Sequence, residues 1–384
     1  MKRLLSIAVL AFLLAGCGAA PERQTPSDEL RDETPEVVAE REWQRRASSG
    51  RETEGEALPP VLRDGTLYIA DRRGRVSAYD AESGRLVWRF GTGEAISGGP
   101  GVDEDFVVVG SRKGRVRAFE APDGETLWEA RTSGEVLSVP AVGENYVIVR
   151  GNDGRVYGLD RDSGSRRWVH DVSVPSLSLR GNGDPLLANG QVMIGFENGR
   201  LQALGADDGD LRWEVTVSEP RGSADLDRVR DVDANPVLFG GALYVVGYRG
   251  NVMAVNPANG QVYWDRELSS HAGLAVDDER TYVTDDRGRI WALDRRTGAA
   301  IWRQNDTEGL QPTAPAVHGD RVVFGDDKGR LTVLSAQDGR MLARIRVRDD
   351  ATISEAPVSD GNGVHVLTDD GYLMRYRLRD RNDD

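Results

Sequence analysis

The residue best placed for covalent chemistry is Cys17, at the end of the run Leu14-Ala15-Gly16-Cys17. Lys2 and Arg3 precede it, followed by an apolar stretch from Leu4 to Leu14. A basic start, a short apolar core and small residues at the end make a secretory signal peptide, too short to span a membrane as a mature helix. The closing four residues match the bacterial lipobox, in which the cysteine is diacylated and becomes the new N-terminus. Residues 1–16 are therefore expected to be removed and Cys17 lipidated. It is the single cysteine of 384 residues, so no disulfide framework competes for it. Two ester-linked chains and one amide-linked chain anchor firmly, since each buried CH₂ contributes about 0.8 kcal/mol.

Catalytic chemistry is not written elsewhere. His170, His271, His318 and His365 have no ligand-like spacing, which predicts no metal cluster. There is no GxSxG elbow, no P-loop and no dinucleotide fingerprint. No catalytic residue and no cofactor are expected. Asp71, Asp153, Asp286, Asp327 and Asp370 fall at Gly-rich turns, where Asp supports the turn backbone; a calcium site among them stays open. The formal net charge of −14 argues against nucleic acid and against a basic membrane-docking surface.

Binding residues are better marked. A Trp recurs along the chain, and the distance from it to the next repeat Pro is twelve residues after Trp88 and Trp128. That distance grows to seventeen after Trp168 and twenty-three after Trp213. Extra length on a rigid scaffold is where binding usually resides. The first insertion, Val174 to Asp184, carries Leu177 and Leu179 on one side of an extended segment, then Arg180. The second, Ser223 to Pro236, carries Asp231 and Asp233. Apolar anchors beside an arginine and an acidic pair suit protein docking. The alternative is that the two leucines tuck under their own loop as a small satellite core.

These projections need a scaffold, and the repeat supplies it. Gly74 to Trp88 (GRVSAYDAESGRLVW) recurs from Gly114, Gly154, Gly199, Gly250 and Gly288, each time with a Gly ten residues on and a Trp fourteen on. A seventh copy, from Gly329, has Ala343 in place of Trp, which puts the packing of that blade in question; an eighth begins at Gly371 and ends before its turn. A Pro stands fourteen residues before the first Gly in every copy but the sixth. Each unit reads as four short strands, and four-stranded units at this period are propeller blades. The expected fold is all-β: an eight-bladed β-propeller of four-stranded antiparallel blades, closed by pairing N-terminal with C-terminal strands. Each Trp should pack across to the next blade with its N–H on a backbone carbonyl. Trp43 is left over at the N-terminus, so residues near 41–47 should supply the missing outer strand of the last blade. Residues 17–40 then form a flexible tether and 41–384 the propeller.

The repeat, as in Ala78-Tyr79-Asp80 through Ser83-Gly84 to Trp88, resembles the pyrroloquinoline-quinone-type propeller repeat. With a lipoprotein signal, eight repeats, PSLSLRG before blade four and a D-V-D run before blade five, the chain resembles the BamB family. These are lipoproteins of the outer-membrane β-barrel assembly (BAM) machinery. The resemblance implies a non-catalytic scaffold on the periplasmic face of a Gram-negative outer membrane. Gly18 after the cysteine resembles the pattern sorted there. It further implies docking on the POTRA domains of a BamA-like insertase through Leu177, Leu179, Arg180, Asp231 and Asp233. Other BAM lipoproteins would be indirect partners, and unfolded outer-membrane protein clients candidate direct ones. Two other classes share the repeat: a scaffold propeller of another envelope complex, and a quinoprotein dehydrogenase. The enzymes carry an adjacent Cys pair that this chain lacks.

Overall fold

A computed structural model describes residues 35–50, 58–172, 183–219, 232 and 234–381. Its strands form eight separate four-stranded antiparallel sheets, one for each copy of the repeat. In blade 1 they are Val61–Arg63, Thr66–Asp71, Arg75–Asp80 and Leu86–Gly91, from the inner to the outer edge. The second strand is the most apolar because both its faces meet neighbouring blades; Phe106–Ser111 of blade 2 is buried throughout. The outer strand buries little besides its Trp. The core is distributed between blades: Tyr68, Val76 and Trp88 of blade 1 pack with Val107, Val109 and Phe119 of blade 2. Among the described residues no helix is long and apolar enough to cross a membrane.

The Gly-to-Trp spacing has two physical causes. One is a bulge in the outer strand, immediately before the Trp: Ala78 pairs with Trp88 and Tyr79 with Leu86, leaving Val87 as the extra residue. The same shift recurs beside Trp128, Trp168, Trp213, Trp264 and Trp302. The other is the seat the indole takes. Trp88 Nε1–H donates to the Ala121 carbonyl of blade 2 at 2.7 Å, and Trp128, Trp168, Trp264 and Trp302 repeat the bond one blade further on. The ring then lies on the second Gly of the next repeat. A Cβ on Gly124 would come within 2.9 Å of the Trp88 ring, and that glycine also has φ +78°. Close approach and a left-handed turn both require glycine there.

The ring closes as the sequence predicts. Val37–Arg46 is the outer strand of blade 8, pairing antiparallel with Tyr372–Asp380. It begins at Val37, four residues ahead of the expected tether boundary, because Val37 is buried against Leu342, Ala343 and Leu378. Even the bulge is reproduced: Arg41 pairs with Tyr376 and Trp43 with Arg375, leaving Glu42 extra. Trp43 Nε1–H donates to the Glu82 carbonyl of blade 1 at 2.9 Å. Arg375 stands where other blades have a small residue opposite the Trp, and it binds both Glu42 of the N-terminal strand and Asp360. Arg377 takes the other oxygen of Glu42.

Ala343 is explained by the same rule. A blade's Trp packs on the turn joining the last two strands of the next blade. In blade 8 that turn is replaced by two chain ends, so blade 7 has no glycine for an indole to rest on. Val37 and Leu378 fill the space instead, and Glu36 N–H donates to the Leu342 carbonyl at 3.1 Å.

Candidate functional site

Leu177, Leu179, Arg180, Asp231 and Asp233, and the lipidation residue Cys17, all lie outside the described residues. The stems that carry the two insertions are described. The first leaves the outer strand of blade 3 (Arg166–Asp171) and enters the inner strand of blade 4 (Leu186–Ala188). The second leaves the outer strand of blade 4 (Leu211–Thr216) and enters the inner strand of blade 5 (Val237–Phe239). Blade 4 is thus flanked by both. These connections share a face with the second-to-third strand turns. Asn152 N–H of one such turn donates to the Glu135 carbonyl of the preceding connection, and Asp286 N–H donates to that of Ser269.

Three connections of regular length are seated by a buried aliphatic residue four positions before the repeat Pro, namely Ile96, Val136 and Ile353; the connection into blade 7 has Gln311 there. Val136 caps Gly110, and Ile353 caps Gly325, in contacts that leave no room for a Cβ on either glycine. The second insertion rejoins this path at Val232, which is fully buried over Gly195 and donates its N–H to the Phe196 carbonyl at 3.3 Å. The first does not. At the matching spacing it has Gly181, and the strand end that would be glycine is Arg150.

Arg150 is completely buried. Its Nη1 donates to the Gly195 carbonyl at 2.8 Å and to the Gly183 carbonyl of the stem at 3.2 Å. Its Nη2 lies 2.7 Å from Glu197 Oε1, and the guanidinium sits 4.8 Å from the centre of the Phe196 ring. A buried arginine is tolerable only with such partners, and these tie the first insertion's stem to blade 4. One residue further on, Asp184 joins the two stems. Its N–H donates to Asn235 Oδ1 at 2.9 Å, and its Oδ2 accepts from Asn235 Nδ2 at 2.7 Å. Its Oδ1 accepts from the Val139 N–H at 2.6 Å. Burial pushes the Asp184 carboxyl up to about 6, against the pull of the Val139 and Asn235 hydrogen bonds and the charge of Arg150.

Beside this corner, on the same face, a cavity of about 1120 Å³ opens across blades 4, 5 and 6. Trp291 in its wall has the guanidinium groups of Arg266, Arg289 and Arg303 at 5.6, 5.6 and 5.1 Å from its ring centre, and its indole N–H bonds Asp285. The turn carboxylates divide by task. Asp71 accepts from its own turn's Arg73 N–H, whereas in blades 6 and 7 that work falls to buried Asp285 and Asp326. Asp286 reaches back to Ser269 and His271 in the preceding connection, and Asp327 to the Gln311 N–H. The Asp286 hydrogen bond raises the pKa of His271. Among the described residues no group of three or more His, Cys, Asp or Glu is arranged to hold a metal.

The family model described as outer membrane protein assembly factor BamB matches residues 33–96, 72–304 and 296–383. The chain belongs to the BamB family. Outer membrane protein assembly factor BamB of Alkalilimnicola ehrlichii is 45% identical over 98% of this chain and 97% of its own length. The crystal structure of BamB from Moraxella catarrhalis superposes with a TM-score of 0.80 at 26% identity, covering 88% of this chain and all of that one. Quinohemoprotein alcohol dehydrogenase from Comamonas testosteroni also superposes, with a TM-score of 0.67 at 14% identity over 89% of this chain and 76% of that chain. At that identity the likeness shows a shared fold alone. The BamB assignment therefore covers the whole ring, the corner around blade 4 included.

Arg150 and the Asp184–Asn235 pair were not among the residues the sequence marks. Arg150 could have been found as the one charged residue at a strand end where blades 2, 4 and 7 have glycine. The pairing of Asp184 with Asn235, 51 residues apart, has no sequence signal.

Proposed function

We propose that this chain is a non-catalytic scaffold of outer-membrane β-barrel assembly, held at the periplasmic face of the outer membrane through lipidated Cys17. It docks on the POTRA domains of a BamA-like insertase through Leu177, Leu179 and Arg180 of the first insertion and Asp231 and Asp233 of the second. Family membership supports the assembly role, since the matching relative is named an assembly factor. The observation that carries the docking face is the Asp184–Asn235 pair, which holds the roots of both insertions together beside blade 4. Replacing Leu177, Leu179 and Arg180 together by Ala abolishes co-purification of a POTRA-bearing barrel from envelope extracts, with the melting temperature unchanged. Retained co-purification moves the interface elsewhere; early melting makes the leucines a satellite core. Recovery of a different envelope complex favours another scaffold role. Dye-linked activity after reconstitution with quinone and calcium favours the dehydrogenase.

A second role rests on the blade edges. Leu86, Val87, Leu127, Leu211, Tyr263 and Ile301 are exposed, and all belong to outer strands. An outer strand has an unpaired backbone edge, and apolar side chains beside it suit strand addition by an unfolded barrel precursor.

A further inference from the structure

Two insertions from different connections must present one composite surface, yet each is rooted in a separate blade junction. Asp184 is the only link among the described stem residues that reaches from one root to the other, and all its bonds are directional: one to Val139 of blade 3, two to Asn235 before blade 5. Arg150 fixes the neighbouring Gly183 carbonyl to blade 4. None of these bonds belongs to a blade's strand ladder, and Arg150 is the one charged residue at its strand-end position among the eight blades.

We propose that Asp184 and Asn235, backed by Arg150, are positioning residues for partner binding, a yoke that sets the two insertions at one fixed separation. This deepens the docking function and rests on it. The bonding pattern dictates how the yoke can be broken and remade. Asn235→Asp places two carboxylates in contact and removes the amide donor. The charged groups facing them are Arg150 and, through it, Glu197. Above neutrality the pair repels; in acid the two carboxyls share one proton and bond again. Exchanging both residues, Asp184→Asn with Asn235→Asp, restores every bond. The amide then sits on the first stem and donates to a carboxylate on the second. Its oxygen still accepts from the Val139 N–H, and the backbone N–H beside it still donates across to the second stem.

The test is affinity of the full lipoprotein chain for a purified POTRA fragment, each variant expressed relative to the unchanged protein at the same pH. Asn235→Asp should weaken binding about tenfold at pH 8, with the deficit shrinking by pH 5. The exchanged double variant should bind within about twofold of the unchanged protein, and all should melt together. The proposal is overturned if Asn235→Asp binds normally at pH 8, if the exchange fails to rescue it, or if affinity falls only in step with melting temperature. The Leu177/Leu179/Arg180 triple-alanine variant in the same assay separates the two ideas. If it binds normally, the docking surface itself is wrong. If it fails while Asn235→Asp binds normally, the surface stands and the yoke falls.

Discussion

The seam in blade 8 and the corner around blade 4 are the two places where the repeat is interrupted, and each is pinned by a buried arginine at a small-residue position. Arg375 stands where other blades put Ala or Gly opposite the Trp; Arg150 stands where blades 2, 4 and 7 end a strand in Gly. Their partners differ. Arg375 binds carboxylates on both chain ends, Glu42 and Asp360, inside a continuous strand ladder with 3% of its surface exposed. Arg150 binds two backbone carbonyls and Glu197 where no ladder crosses. The first arrangement closes the ring, and breaking it releases a strand. The second aims a connection, and breaking it leaves the blades paired. Stability and recognition are therefore expected to separate between the seam and the Asp184–Asn235 pair, which can be broken without touching the buried Arg150–Glu197 pair.

That separation can be attacked from the stability side first. Deleting residues through Gly50 removes the strand Val37–Arg46 and uncovers Tyr376 and Leu378, and should lower the melting temperature more than any single substitution. Arg375→Ala should come next, costing about 2–3 kcal/mol in denaturant unfolding, because it removes a buried guanidinium and its charged hydrogen bonds to Glu42 and Asp360, which keep Arg377 and His365 as their remaining partners. A smaller effect is expected from Ala343→Trp. If the missing Trp were a mere defect, restoring it would stabilise; with no glycine turn opposite, overpacking should instead cost about 1–3 kcal/mol.

Acid should sharpen the contrast. Asp360 is pushed up by burial but more than offset by His365, the Asn362 and Gly363 N–H groups and Arg375, which hold it at about 2. A depressed carboxyl contributes stability above its ordinary value and loses it as pH falls toward the folded one. His365 is held below its ordinary value, chiefly by burial, so it too costs stability once pH drops beneath the usual imidazole range. Asp184, raised to about 6, has the opposite sign: its penalty is present above that value and is relieved as pH falls toward the ordinary carboxylate range. Melting curves from pH 7.5 down to about 2 should show net loss, through His365 first and through Asp360 below about pH 4, and Asp184→Asn should slightly steepen the part between about 6 and 4. A variant indistinguishable from the unchanged protein at every pH would remove Asp184 from the account.

Most of the architecture was legible because one unit recurs eight times and its glycines and tryptophans serve geometry shared by every blade. Closure was legible from a single leftover residue, Trp43. Ala343 read as a departure because its cause lies on the next blade, where chain ends replace a turn. The proposed docking residues were marked by connection length, and by resemblance beyond that. What positions them was hidden, since Arg150 extends the apolar run Tyr146–Val149 by one residue and its function depends on carbonyls of blade 4. Contacts made by backbone oxygens leave no residue type to read.

The most direct test of the central claim is a two-component titration of the purified POTRA region with the Leu177/Leu179/Arg180 triple-alanine variant, beside Arg375→Ala measured below its melting transition. The account predicts that the triple variant loses about a hundredfold or more in affinity at unchanged melting temperature, while Arg375→Ala melts early and binds normally as long as it is folded. Normal binding by the triple variant would contradict it.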